Sequence, residues 1–198
     1  MIDSLKKATA KYGYVWKKRP FELNIIAVRK DSEHTVATKP NYFDDSLWVI
    51  YTDDKGKEVS MLYQVTTDPG TYYLLNPMQP DGAAILHPGS YPVYEIGLHQ
   101  GKYKALVQRG PVKVYRDNNR DNVLDLDSRS TKTGVFGINI HKAAKNTITV
   151  DKWSGGCTVF ANEADFNSFM RMCDKHAKLY GNKFTYNLLD YNDLNSFI

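Results

Sequence analysis

Apolar residues fall in short runs along this chain, some alternating with polar ones at a period of two and some continuous, separated by Gly, Pro, Asp and Asn clusters. Such runs at 22–29, 46–51, 59–65, 91–98, 103–108 and 111–116 predict strands, because β-branched and aromatic residues suit a pleated, half-buried surface. The alternation of Val135, Phe136, Ile138 and Ile140 predicts another strand, Ile148-Thr149-Val150 a further one, and Phe184 to Leu189 a closing one. Two stretches depart from this period. A short helix is expected over 3–12, and a strong one over 163–180, where Phe166, Phe169, Met170, Cys173, Ala177 and Tyr180 share a face between a capping Asn162 and a terminating Gly181. Turn residues recurring at short intervals favour an all-β sandwich or barrel over alternating βα units. The predicted fold class is therefore mainly β, with one α-helix in the C-terminal half and a short N-terminal one. With no repeat or low-complexity linker, residues 1–198 read as a single domain with a core over 60–190; residues 1–55 are extra strands or an accessory lobe.

Chemistry concentrates where the alternation ends. Gly137-Ile138-Asn139-Ile140-His141 is followed by Trp153-Ser154-Gly155-Gly156-Cys157, setting one histidine and one cysteine on adjacent segments that can fold back on each other. A thiol beside a base is the minimum equipment for nucleophilic catalysis. The two glycines let the backbone turn tightly, and the N–H groups of Gly156 and Cys157 can then face an oxyanion. The bland alternatives are a strand-end histidine bonded to a carbonyl and a small buried cysteine.

Histidine, twelve residues, then Ser-Gly-Gly-Cys resembles the signature of the L,D-transpeptidase (YkuD-like) family over residues 134–160. Thr66-Thr67-Asp68-Pro69-Gly70 and His87-Pro88-Gly89-Ser90-Tyr91 are similar to the Pro-Gly turns ahead of the catalytic segment in that family. The resemblance implies an L,D-transpeptidase-like β fold in which Cys157 is the nucleophile, His141 its base, and the backbone carbonyl of Ser154 the group that orients the base. It also implies acyl transfer on peptidoglycan stem peptides: a transpeptidase if an amine resolves the thioester, a carboxypeptidase or endopeptidase if water does. Two positions depart from the family. Gly155 stands where a second histidine is usual, and Val159 where an arginine is usual. These departures resemble phage-encoded members, and they keep open a second reading, an inactive wall-binding or virion structural module. Gly155, Trp153, His99 and Tyr103 are the candidates for lining a substrate groove.

Composition narrows the partners. The net charge of +4 is spread, with Lys17-Lys18-Arg19 as its only basic run, which argues against nucleic acid and is compatible with an anionic wall polymer. Fourteen tyrosines suit strands and peptide-binding or sugar-binding grooves alike. No window predicts a membrane span and Met1 to Lys7 lacks the apolar core of a signal peptide, so action on a cell wall implies either a signal already removed or delivery by phage or by a secretion route. Of the two cysteines, Cys173 lies on the apolar helix face and reads as a core thiol; a bridge to Cys157 stays open.

The chemistry requires no cofactor, but one loop offers a metal. Asp117, Asn119, Asp121 and Asp125, with the Val123 carbonyl, follow the order of a calcium loop; Asn122 replaces its glycine and Ser128 its bidentate acid. The alternative is a solvated Asp/Asn turn between strands. His87, His99, His141 and His176 show no zinc-ligand spacing on any one element.

Overall fold

The predicted alternation closes on itself. In this structure, a computed structural model describing residues 1–30, 41–144, 147–195 and 197, eight strands form a closed barrel rather than a sandwich. The strands are β1 (Asn24–Arg29), β2 (Asp45–Thr52), β3 (Glu58–Thr66), β4 (Ala83–Leu86), β5 (Gly89–His99), β6 (Tyr103–Gln108), β7 (Val112–Asp117), β8 (Lys132–Gly134), β9 (Ile140–Lys142), β10 (Thr158–Phe160) and β11 (Phe184–Asp190). The barrel runs β1-β11-β5-β6-β9-β10-β3-β2, and β4-β7-β8 form a separate three-stranded sheet. Closure leaves the barrel without a free edge to pair with another chain.

Residues 1–55 are not a separate lobe. Within them β1 and β2 are barrel strands, antiparallel with Ile26 opposite Trp48, and β1 runs parallel to β11 with Ile26 opposite Asn187; residues 31–40 lie outside the described residues. Along β1, Ile25 and Ala27 join the main core while Ile26 and Val28 join a second cluster with Leu5 and Ala8 of α1 (Ile2–Ala10) and Leu194 of α4 (Tyr191–Asn195). That is why β1 reads as a continuous apolar run: both faces are covered.

The long helix, α3 (Glu163–Tyr180), forms where its pattern predicts. The Asn162 side chain accepts from the N–H groups of Ala164 and Asp165, and Gly181, at φ 91°, ends the helix. Phe166, Phe169, Met170 and Cys173 join Tyr63, Phe160 and Tyr186 in the main core. Burying side chains of this size contributes roughly 1.5–3 kcal/mol each. Cys173 is fully buried and both cysteines are free thiols, so the bridge left open by sequence is absent.

Two predicted strands fail near the site. Residues 135–139 are not paired in a ladder, because the Gln108 side chain takes the ladder's place: its Oε1 accepts from the N–H groups of Phe136 and Ile138 at 3.2 and 2.9 Å, and its Nε2 donates to the Gly134 carbonyl at 3.0 Å. Ile148-Thr149-Val150 makes only an isolated bridge, Thr149 to Tyr42. The strand that positions the cysteine comes after it, as β10, and β10 lies parallel to β9 with Thr158 opposite Ile140 and Val159 opposite His141.

Candidate functional site

The β9–β10 register brings His141 and Cys157 together. In parallel strands residues two apart share a face, so Cys157, one residue ahead of β10, lies beside Asn139, and His141 is the next residue along that face. The side chains of Asn139, His141 and Cys157 line one cleft of about 1120 Å³, together with His99, Tyr103, Trp153 and Gly155. Every residue expected to line a groove therefore faces the same cavity. Ser154 and Gly156 stand behind it, in the turn that presents the sulfur.

That turn is held from below. Ser154 is fully buried; its hydroxyl donates to the Cys157 carbonyl at 2.8 Å and accepts from the Gly156 N–H at 3.1 Å. Gly156 has φ +124°, and a Cβ there would stand 2.0 Å from the Ala84 carbonyl oxygen in β4, so only glycine fits. Two expected roles change accordingly. The Gly156 N–H is spent on Ser154 and is not free for an oxyanion, whereas the Cys157 N–H makes no hydrogen bond among the described residues. The Ser154 carbonyl accepts from the Gly70 N–H at 2.9 Å rather than from His141. Gly70 caps α2 (Thr71–Leu75), so the Thr66–Gly70 segment braces the cysteine turn directly.

His141 is oriented by its own neighbour. Its Nδ1 lies 3.0 Å from the Lys142 carbonyl, which can only accept, so Nδ1 carries the proton and Nε2 keeps the lone pair. The Tyr103 hydroxyl donates to the same carbonyl at 3.2 Å and lies 3.4 Å from Nδ1, which makes Tyr103 part of the histidine's support. The His99 ring stacks on His141 with centroids 4.0 Å apart and planes at 18°. Burial, then the neighbouring His99, pulls the His141 pKa down to about 3.

Cys157 is partly exposed. Its Sγ receives the Asn139 N–H at 3.3 Å and lies 3.5 Å from the Gly137 carbonyl, to which a thiol can donate. Burial around the sulfur pushes the thiol up to about 11, and the Asn139 N–H opposes that shift. No hydrogen bond joins Sγ to His141 among the described residues. At rest the two groups are therefore a neutral thiol and a neutral imidazole.

The two positions that depart from the signature are occupied by packing. A side chain at Gly155 would meet Met78 Cε at 2.8 Å, the far end of an exposed flexible side chain that would have to move aside, with Tyr73 just beyond. Val159 is fully buried with Phe43, Ala143, Val150 and Ala161, where a guanidinium would lie unpaired in an apolar cluster. Cations reach the cleft from elsewhere. Lys102, Arg116, Lys142 and Lys152 line it against the single carboxylate of Asp81. Arg116 pairs with Asp81 and Lys142 with Glu163, leaving Lys102 and Lys152 with no carboxylate partner among the described residues.

The Asp/Asn loop spends its oxygens on its own backbone. Asp117 accepts from Asp125 N–H, Asn119 from Asp121 N–H, Asp121 from Val123 N–H and from the Asn119 amide, each at 2.8–3.1 Å. Asp127 caps a turn and pairs with Arg129. Among the described residues no three His, Cys, Asp or Glu side chains converge as a metal site.

Sequence reasoning missed Asn139 and Lys142. Asn139 is two residues from His141, and the strand period alone would have placed both on the face of the cysteine. No family model, no curated protein and no solved structure matches this chain. Among the described residues no helix is long and apolar enough to cross a membrane.

Proposed function

We propose that this protein is a cysteine acyltransferase of the L,D-transpeptidase type, acting on peptidoglycan stem peptides. The observation that carries the reading is the placement of Cys157 and His141 on one face of a parallel strand pair in a single cleft, with His141 Nε2 left as the basic atom. In the mechanism the Cys157 sulfur attacks a peptide carbonyl next to a D-configured centre, a C–S bond forms, and the thiol proton passes to His141 Nε2. The Cys157 N–H receives the developing oxyanion. Collapse breaks the C–N bond, and His141 returns the proton to the leaving amine. An amine or a water then resolves the thioester.

Burial raises the Cys157 thiol and lowers the His141 imidazole, and both shifts disfavour a thiolate–imidazolium pair at rest. Lys102 and Lys152, which have no carboxylate partner among the described residues, suit a substrate that carries carboxylates, as stem peptides do.

The second reading, an inactive wall-binding or virion structural module, is favoured by one observation: thiol and imidazole are not hydrogen-bonded to each other. Intact-mass measurement after incubation with stem peptides separates the two. A mass gain on Cys157, absent from Cys157→Ala, is the expected result; no gain on any stem peptide, with identical muropeptide profiles for both proteins, sinks the enzyme reading.

A further inference from the structure

We propose that His99 is a positioning residue for His141: a neutral imidazole, locked by Asn139, whose ring face seats the base and faces its positive charge when the Cys157 proton arrives. The inference rests on the reading of Cys157 and His141 as nucleophile and base. It does not depend on peptidoglycan as the substrate.

The lock is legible bond by bond. The Gln108 N–H donates to Asn139 Oδ1 at 3.0 Å, so the other end of that amide is its NH2 group. Asn139 Nδ2 lies 3.1 Å from His99 Nδ1 and can only donate, so Nδ1 is an acceptor and the His99 proton sits on Nε2. Protonating His99 at Nδ1 would set donor against donor. His99 lies at the end of β5, opposite Tyr103 across the β5–β6 hairpin, and is almost fully buried. Its ring covers one face of His141 at stacking distance. Burial and the nearby Lys102 both hold His99 below the usual histidine range, which agrees with the neutral ring the bonds require.

Asn139 joins this lock to the nucleophile. Its side chain holds His99 while its backbone N–H donates to Cys157 Sγ. Around the stacked pair the other titratable and charged groups are Tyr103 from β6, Lys102 in the hairpin turn, Lys142 beside His141 and paired with Glu163 at the start of α3, and Cys157 ahead of β10. None of these is a carboxylate in contact with His141. Among the described residues, then, no carboxylate partners the imidazolium formed during acyl transfer; apart from the oxyanion formed with it, it meets the neutral ring face of His99. A charged His99 lowers the His141 pKa because two stacked imidazolium rings repel, whereas the neutral ring that Asn139 enforces presents an aromatic face to the cation.

The test uses the whole protein and a probe independent of any peptide. Iodoacetamide alkylates Cys157, forming a C–S bond as iodide leaves while the thiol proton passes to His141 and then to solvent; intact mass gives the rate across pH. Cys173 is buried and serves as the unreactive control. Histidine 15N NMR of the wild type is expected to show His99 neutral and protonated on Nε2 at pH 7; a proton on Nδ1 overturns the proposal. Asn139→Asp keeps the acceptor for Gln108 but puts a carboxylate at His99 Nδ1, making His99 an imidazolium at neutral pH. Its alkylation rate at pH 7 is expected to fall at least tenfold, with an inflection that coincides with the new His99 titration. A rate profile with no inflection at that pH overturns the proposal. If Asn139→Asp does not fold, His99→Phe and His99→Ala decide: the flat neutral ring of phenylalanine retains several-fold more reactivity than alanine, and equal losses overturn the proposal. Failure of every stem peptide to acylate Cys157, with His99 responding as described, would sink the peptidoglycan reading and leave this one standing.

Discussion

Two buried polar clusters sit in this barrel, and they are built on opposite rules. Around Arg29, at the end of β1, the guanidinium donates to Asp68 at 2.8 Å, to Thr67 Oγ1 at 3.2 Å and to the Leu86 carbonyl at 3.0 Å, with Asp190 at 3.6 Å. Asp45 beside it accepts from the Lys30 N–H and from both the N–H and hydroxyl of Thr67. These charges are spent on one another and on the backbone of neighbouring segments. Around His141 no carboxylate is in contact among the described residues, and His141 and Cys157 are each left partly unspent. His141 uses Nδ1 and keeps Nε2; Cys157 keeps its N–H and a weakly held sulfur. Similar burial therefore makes a fastener in one place and, in the other, a group of atoms that faces the cleft.

Mutation should pull the two clusters apart. The largest expected effect is at the proposed nucleophile: Cys157→Ala abolishes covalent labelling, and His141→Gln slows it by roughly 10²–10⁴ at neutral pH, the usual weight of a general base. Labelling rates by intact mass check both, and a His141→Gln rate equal to that of the wild type would erase the distinction. Next comes Arg29→Met, which leaves Asp45 and Asp68 buried without their cation and is expected to cost about 3–5 kcal/mol in urea unfolding. The labelling rate of its folded fraction should match the wild type, and a parallel loss would mean that the clusters are one system.

Acid sharpens the contrast. The folded-state pKa of His141 is depressed, so the unfolded chain binds the extra proton first and stability falls as pH drops. This contribution is complete above about 6.5, the value of an unperturbed histidine, and is lost as pH falls toward about 3. Wild type should therefore lose more stability than His141→Gln between pH 6.5 and 4; parallel melting curves would refute the burial of a neutral base. The smallest effect belongs to neither cluster. Asn162→Ala removes the cap of α3 and should cost about 1 kcal/mol in thermal or urea unfolding, without altering labelling.

Legibility differed between these regions for physical reasons. The apolar face of α3, its cap and its stop follow from local spacing, and the structure keeps them as the sequence predicts. The strands β1 to β3 and β5 to β7 follow in the same way from short apolar runs bounded by turn residues, give or take a few residues at their ends. The segment 135–139 has the alternation of a strand but is held by the Gln108 side chain, from a strand some thirty residues earlier, which no local pattern reveals. Within the cysteine turn, the need for glycine at 156 was legible, but its cause, the Ala84 carbonyl, comes from another sheet. The same distance in sequence hid the partner of the Ser154 carbonyl, which proved to be Gly70.

By itself the sequence determined the mainly β character, the capped helix, the core thiol and the pair of residue types at 141 and 157, because each depends on short-range periodicity or on the chemistry of the side chain. Tertiary structure decided that the strands close into a barrel, that His99 and Asn139 join His141, that the Gly156 N–H is spent, and that thiol and imidazole rest neutral. These depend on which atoms meet across long loops and on how much water they exclude, quantities that exist only once distant segments have packed.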